Sequence, residues 1–314
     1  EWIVNKLPKA EIFVDLFFGG GAVTHRAMLS GKYDRFIVND IDARLPKLFL
    51  ECAYGKHTIK THPEWVTREM FNEKKADDAY IALVWSFGNN GKDYLYGADI
   101  EEMKHAYHKA VYFGNLDALK AFGYKLTLSD KKYVYDRYLD YHKQIKKQTP
   151  YIDNEQLTRQ TEIERLQSLQ SLQSLQSLQS LQSLQSLRSF GADYQDVTIP
   201  EGSTIYCDIP YKDTDCKSYN GFDHERFYKW AREQENIFIS EYQMPDDFIP
   251  VARRDKTVLC DINGAGHRRE EIIFTNSLTY ERMTEEEKER VRWNNSTQQD
   301  IFSFMRDYDE SRKD

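Results

Sequence analysis

Cysteine is scarce. The four residues Cys52, Cys207, Cys216 and Cys260 have neither metal-ligand nor disulfide-framework spacing. Two of them end apolar runs, where a small buried thiol is the expected role. Long apolar stretches are missing as well. None approaches the roughly 20 residues that a membrane-spanning helix needs, and no signal-peptide pattern is visible. A reducing, cytoplasmic setting is therefore expected. Positive charge is in deficit, with a net charge of -8. That weakens a nucleic-acid reading based on bulk electrostatics without excluding it, because a local basic face is what matters. Candidate patches are "RRDK" (253 to 256), "GHRRE" (266 to 270) and "YHKQIKKQ" (141 to 148), each of which also reads as a solvated surface run. The chain opens at Glu1 without methionine, and the natural N-terminus is expected to lie upstream.

What is present suffices for one large domain or two moderate ones: 314 residues, 40% hydrophobic and 14% aromatic. Short runs rich in β-branched and aromatic residues stand at 12 to 16, 35 to 39, 204 to 208, 236 to 240, 256 to 260 and 271 to 275. Separated by helical spacing, they predict an α/β fold with a parallel sheet covered on both faces. Between the first two lies "AVTHRAMLSG", a helix that Gly31 would close. The strand runs come from both ends of the chain. The stretch between them is Tyr-rich, charged and helical in pattern. The simplest organisation is a discontinuous domain, 1 to 55 with 188 to 314, carrying an insert over 56 to 187.

Inside that insert the unit Leu-Gln-Ser repeats from Leu166 to Ser189. Leucine and glutamine favour helix, so the reading is one helix of about 36 Å, with a low-complexity spacer as the alternative. A period of three winds the leucines around an α-helix, since each lags its predecessor by about 60°. Partner helices or a second copy of the chain are then expected to cover them.

Two stretches carry chemistry. In "FVDLFFGGGAVTHRAM" a strand delivers Asp15, Phe17, Phe18 and then Gly19, Gly20 and Gly21, before a helix starts. Glycines permit a tight turn and close approach of a ligand to the backbone. No Gly-Lys-Ser/Thr follows, so this is no nucleotide-triphosphate loop. A second strand ends in "FIVNDID"; Asp40 at its tip suits a ribose diol and also reads as a helix N-cap. In "TIYCDIPYKDT" a buried run ends abruptly in Asp208, Ile209, Pro210 and Tyr211. Ligands of open α/β sheets bind at the carboxyl ends of the strands. There the Asp208 carboxylate and the Ile209 carbonyl form two acceptors for one exocyclic amino group. Pro210 fixes the turn, and Tyr211 offers a face for a planar ring.

These motifs, in this order, resemble the Dam-type DNA adenine-N6 methyltransferases. "DLFFGGG" matches their Phe-x-Gly-x-Gly motif, "VNDID" their acidic motif, and "DIPY" stands where their Asp-Pro-Pro-Tyr stands. "GADYQDV" (191 to 197) is similar to their Asp-Phe/Tyr motif, "FISEY" to the strand after the catalytic motif, and "FGNNGKDYLYG" to a loop of their recognition domain. The resemblance implies a Rossmann-like methyltransferase sheet with an inserted, mainly helical target-recognition domain. It implies S-adenosylmethionine as cofactor, bound by Asp15, Phe17, Phe18, Gly19, Gly21, Asp40, Ile41, Asp193 and Tyr194. It also implies double-stranded DNA as partner, contacted by Asn89, Asn90, Lys92, Tyr94, Arg268 and Arg269. Asp208, Ile209, Pro210 and Tyr211 would form the catalytic clamp around a flipped adenine, with no metal.

Three departures stand out. Ile209 replaces the family's first proline, although the clamp uses only its backbone carbonyl. The family's Gly-Lys motif, which helps form the cofactor pocket, is absent ahead of "EWIVNKLPK". The Leu-Gln-Ser tract is not a family feature. The same clamp fits an N4-cytosine or RNA methyltransferase, and a degenerate site would fit a silent DNA-binding regulator. A Rossmann oxidoreductase lacks support, because the full Gly-x-Gly-x-x-Gly pattern is missing.

Overall fold

The computed structural model describes residues 1 to 148, 157, 161 to 176, 178 to 211, 221 to 258 and 267 to 295. Seven strands form one sheet: β1 (Ile12–Asp15), β2 (Arg35–Asn39), β3 (Arg188–Phe190), β4 (Thr204–Asp208), β5 (Ile237–Glu241), β6 (Ile249–Val258) and β7 (His267–Thr275). Their order is β3-β2-β1-β4-β5-β7-β6. The first five are parallel, as expected of buried, near-continuous apolar runs. Only β7 departs from the all-parallel expectation: it runs antiparallel to both β5 and β6, so β6 keeps the direction of the first five. The run expected at 256 to 260 belongs to a strand that begins at Ile249; Leu259 and Cys260 lie outside the described residues.

Successive side chains of a strand point to opposite faces. One face of the sheet presents Val14, Ile37, Ile205, Cys207, Ile237 and Ile239, and packs them on Phe227, Tyr228 and Ala231 of the helix His224–Ala231. Phe13, Phe36 and Tyr206, one position along, are equally buried. Phe13 meets Tyr33 at 4.9 Å between ring centroids and stacks on Tyr206 at 6.4 Å. The helix Ala22–Ser30 joins β1 to β2 and ends at Gly31 with φ +65°, a left-handed turn that glycine adopts without a Cβ clash. Cys52 and Cys207 are buried free thiols; Cys216 and Cys260 lie outside the described residues.

Two compact units share the chain: Glu1–Ala43 with the described residues from Gln179 onward, and Arg44–Leu178. The composition shift had suggested cuts near 55 and 187. The helix Arg44–Ala53, which buries Leu48, Phe49, Cys52 and Ala53, belongs instead to the second unit. Its partner there is the Leu-Gln-Ser tract.

That tract is not one helix, which corrects the sequence reading. Residues Glu162–Gln170 are α-helical, Ser171–Gln176 form a 3-10 helix, Leu178–Gln185 return to α, and Arg188 already opens β3. The repeat suits the 3-10 form of its middle segment. A 3-10 helix has 3.0 residues per turn, so a three-residue period keeps every leucine on one side. Leu172 and Leu175 are accordingly buried, while Ser171, Ser174 and Gln176 are exposed. Leu166 and Leu184 are buried too. These four leucines are covered within the chain, while the side chains of Leu178 and Leu181 lie outside the described residues. The α-helical start is set by Thr161, whose hydroxyl accepts from Glu164 N while the Glu164 side chain accepts from Thr161 N.

Leu175→Ala should therefore cost about 2–5 kcal/mol of stability, as other large-to-small core changes do. Ser168→Ala, at an exposed position of the same tract, should stay within about 0.5 kcal/mol. Urea unfolding of the two variants measures the difference; equal, small effects would contradict the one-sided burial.

Candidate active site

Because β1, β2 and β4 run parallel, their carboxyl ends gather Asp15, Asn39, Asp40 and Asp208 at one edge. Asn39, buried at the end of β2, organises that edge. Its Nδ2 donates to the carbonyls of Leu16 (3.2 Å) and Ala192 (3.0 Å), and its Oδ1 accepts from Ala192 N (3.1 Å). One amide thus fixes the residue after β1 and the segment that carries Asp193 and Tyr194. At the neighbouring Gly191 an added Cβ would lie 2.3 Å from the Ala43 Cβ, so the two loops are packed against each other.

The glycine loop is held by a side chain far along the chain. Gly19 N donates to Asp40 Oδ2 at 2.8 Å, and Asp40 Oδ1 accepts from Asp42 N at 2.9 Å. The second bond is a local turn rather than the helix cap expected for Asp40, since the next helix starts only at Arg44. Gly19 and Gly21 have φ of +50° and +72°. Ideal Cβ atoms built at Gly19 and Gly20 meet no atom within 4 Å, which leaves open space over the loop. Ile41 lies 79% exposed beside it, an unusual place for a large apolar side chain.

Asp15 is 2% exposed. Its Oδ2 accepts from Thr24 Oγ1 at 2.7 Å, whereas its Oδ1 is buried without a hydrogen-bond partner. Burial pushes its carboxyl up from 3.8 to about 7, and the nearby carboxylates of Asp208 and Asp40 add to the rise. Burial likewise raises Asp40. Phe17 stands edge-on to Phe222 and Phe227, at 5.6 Å from each, and tilts against Tyr194. Phe18 is buried.

Asp193 does not stand alone. Both its oxygens accept from the Arg226 guanidinium, at 2.7 and 3.0 Å, and Oδ1 also accepts from Gln195 N. The guanidinium holds this carboxyl below the usual range. Tyr194 is buried among Phe17, Phe222, Phe227 and Trp230, with Arg226 over its ring at 5.4 Å and its hydroxyl unpartnered.

β4 buries Thr204 through Cys207 and leaves Asp208 exposed. Ile209 is 2% exposed. The Tyr211 hydroxyl donates to Asp208 Oδ1 at 3.1 Å, and its ring leans on Tyr242, 4.6 Å between centroids. Burial and the Asp208 charge both raise the Tyr211 hydroxyl.

In the second unit, residues 86 to 94 form a tight loop closed by pairing of Ser86 with Tyr94. Asn90 braces it: Oδ1 accepts from Lys92 N and Asp93 N, and Nδ2 donates to Asp93 Oδ2. Asn89 (φ +56°) and Lys92 are exposed at the tip. Tyr94 is withdrawn from the surface, with its hydroxyl donating to Val66 O, so it does not belong to an exposed contact set. The exposed aromatic of the loop is Phe87, at 56% exposure. Arg268 and Arg269 stand in β7 opposite Thr257 and Lys256; their side chains lie outside the described residues. In "YHKQIKKQ", Tyr141 and Ile145 are buried, so this patch is one side of an amphipathic helix.

Asn39 and Arg226 escape a reading of motifs because each acts through a partner distant in sequence, whereas Thr24 reaches Asp15 across the turn from β1 to the next helix. Only the position of Asn39 at a strand tip offered a signal.

No helix among the described residues is long and apolar enough to cross a membrane. No curated protein matches the chain. The family model for D12 class N6 adenine-specific DNA methyltransferases matches residues 1 to 248, which span β1 to β5 and every sheet-edge residue above. The chain belongs to the D12 class of N6 adenine-specific DNA methyltransferases.

Proposed function

We propose that the methyl donor is S-adenosylmethionine, held at the carboxyl edge of β1 and β2. The residues fit such a ligand. The glycine loop is open above Gly19 and Gly20, Asp15 Oδ1 is a buried acceptor without a donor, and Asp40 keeps lone pairs beyond the two bonds it accepts. Ile41 would cover the adenine ring, and Asp193, kept ionised by Arg226, would accept from its amino group. When bound, the donor supplies a methyl group activated by the positive sulfonium.

The target base is then an adenine flipped out of double-stranded DNA, since its amino group is otherwise paired. The observation that carries this reading is the end of β4: a buried strand that leaves Asp208 exposed beside the Tyr211 ring. Asp208 and the Ile209 carbonyl accept the two amino hydrogens. Tyr211 stacks on the base and hands its Asp208 contact over to the amino group. These groups orient the nitrogen lone pair and offset the charge that develops on it. The replacement of proline by Ile209 leaves that carbonyl in place. The second unit reads as the recognition domain, with Asn89, Lys92 and Phe87 presented to DNA by a loop that Asn90 braces.

Two outcomes test this. Asp208→Ala should lower kcat by about 100- to 10,000-fold with donor affinity little changed in calorimetry. Tyr211→Phe should be mild and Tyr211→Ala should cost roughly 1–3 kcal/mol of base stacking. Equal loss of rate and donor affinity in Asp208→Ala would move that residue to the donor site.

Asp15 gives a pH-dependent prediction. Its folded pKa is raised, so its contribution to stability is full below about pH 4 and is lost as pH climbs through about 7. The loss is on the order of 4 kcal/mol at most. Asp15→Asn should therefore be more stable than wild type at pH 8 without ligand, by a margin that shrinks toward pH 4, and should bind the donor more weakly. Identical melting curves at pH 8 would show that the carboxylate is not strained.

A further inference from the structure

Pro210 O is the carbonyl between the two residues that shape the clamp, and a side chain from the next helix holds it. His224 Nε2 lies 2.8 Å from Pro210 O. A carbonyl only accepts, so the Nε2 proton must be present and must donate. His224 is the first residue of the helix His224–Ala231, and Asp223 caps that helix by accepting from Arg226 N. The imidazole stands edge-on against Phe222 at 4.9 Å, and Phe222 stands edge-on against Phe17 of the glycine loop at 5.6 Å. The ring is thereby braced from behind while its proton points at the turn.

We propose that His224 is a positioning residue for methyl transfer, fixing the Pro210–Tyr211 peptide so that the Tyr211 ring and the Ile209 carbonyl meet the target base together. The proposal rests on the clamp reading of Asp208 to Tyr211. Pro210 has no N–H and its φ is set by the ring, so its carbonyl is the free handle on this turn. Rotation of that peptide swings Tyr211, whose position the reaction needs to within about 0.5 Å. The same contact links the turn to the aromatic wall beside the glycine loop through Phe222 and Phe17. His224 itself touches neither donor nor base in this account.

The test compares His224→Ala, His224→Gln and His224→Asn in the full chain, with Asp208→Ala as reference. A glutamine amide places its nitrogen near the histidine Nε2 position and can donate to Pro210 O; an asparagine amide is too short. Expected are a kcat lowered about 10- to 100-fold in Ala and Asn, recovery to within about threefold of wild type in Gln, and S-adenosylmethionine affinity and melting temperature unchanged in all three. DNA carrying 2-aminopurine at the target position adds a second readout: its fluorescence should rise in Ala and Asn, where Tyr211 stacks less well, and not in Gln. Equal impairment of Gln and Ala, a loss that appears in donor affinity, or unchanged kcat in Ala overturns the proposal. If Asp208→Ala is itself fully active, the clamp reading fails first, and the two failures are told apart by that reference.

Discussion

A single buried amide sets the geometry on which the site depends. Asn39 ties the end of β1, the end of β2 and the segment before Asp193 with three hydrogen bonds. Each replaces a contact with water by one inside the protein, and an unmade partner there would cost about 1–3 kcal/mol. The consequence is a fixed edge where carboxylates from four separated segments, Asp15, Asp40, Asp193 and Asp208, come to one place. Parallel pairing of β1, β2 and β4 supplies the rest, because it turns strand ends into neighbours.

So many carboxylates at one edge carry a cost, and the molecule answers each one differently. Asp193 is neutralised by Arg226, Asp40 is engaged by two backbone N–H groups, and Asp208 receives the Tyr211 hydroxyl. Asp15 alone keeps a buried oxygen without a donor, and its carboxyl rises to about 7. In the proposed function a cationic, donor-rich ligand would relieve that strain. Stability given up at this edge would then be recovered on binding, which is the usual relation between strained sites and function.

Much of this was legible in the sequence, for physical reasons. β1, β2, β4 and β5 are short apolar runs, and burial on both faces demands such runs whatever the neighbours are. The candidate site residues sit where those runs end, so the strand-tip positions of Asp15, Asp40 and Asp208 could be read from the sequence. What escaped depends on pairing across long distances. The antiparallel turn of β7, the bond from Asp40 to Gly19, the Arg226 clamp on Asp193 and the burial of Tyr94 leave no local pattern. The Leu-Gln-Ser tract was misread because its period was judged against 3.6 residues per turn. Judged against 3.0, Leu172 and Leu175 fall on one side, and the segment Ser171–Gln176 adopts that form.

In the proposed function the clamp at the end of β4 directs methyl transfer to the amino nitrogen of adenine in DNA. Nucleoside mass spectrometry of DNA from a methylation-free host expressing the chain tests it most directly. N6-methyldeoxyadenosine should accumulate while N4-methyldeoxycytidine stays at the level of the empty host. Accumulation of N4-methyldeoxycytidine, or of neither base with the protein folded and abundant, would contradict it.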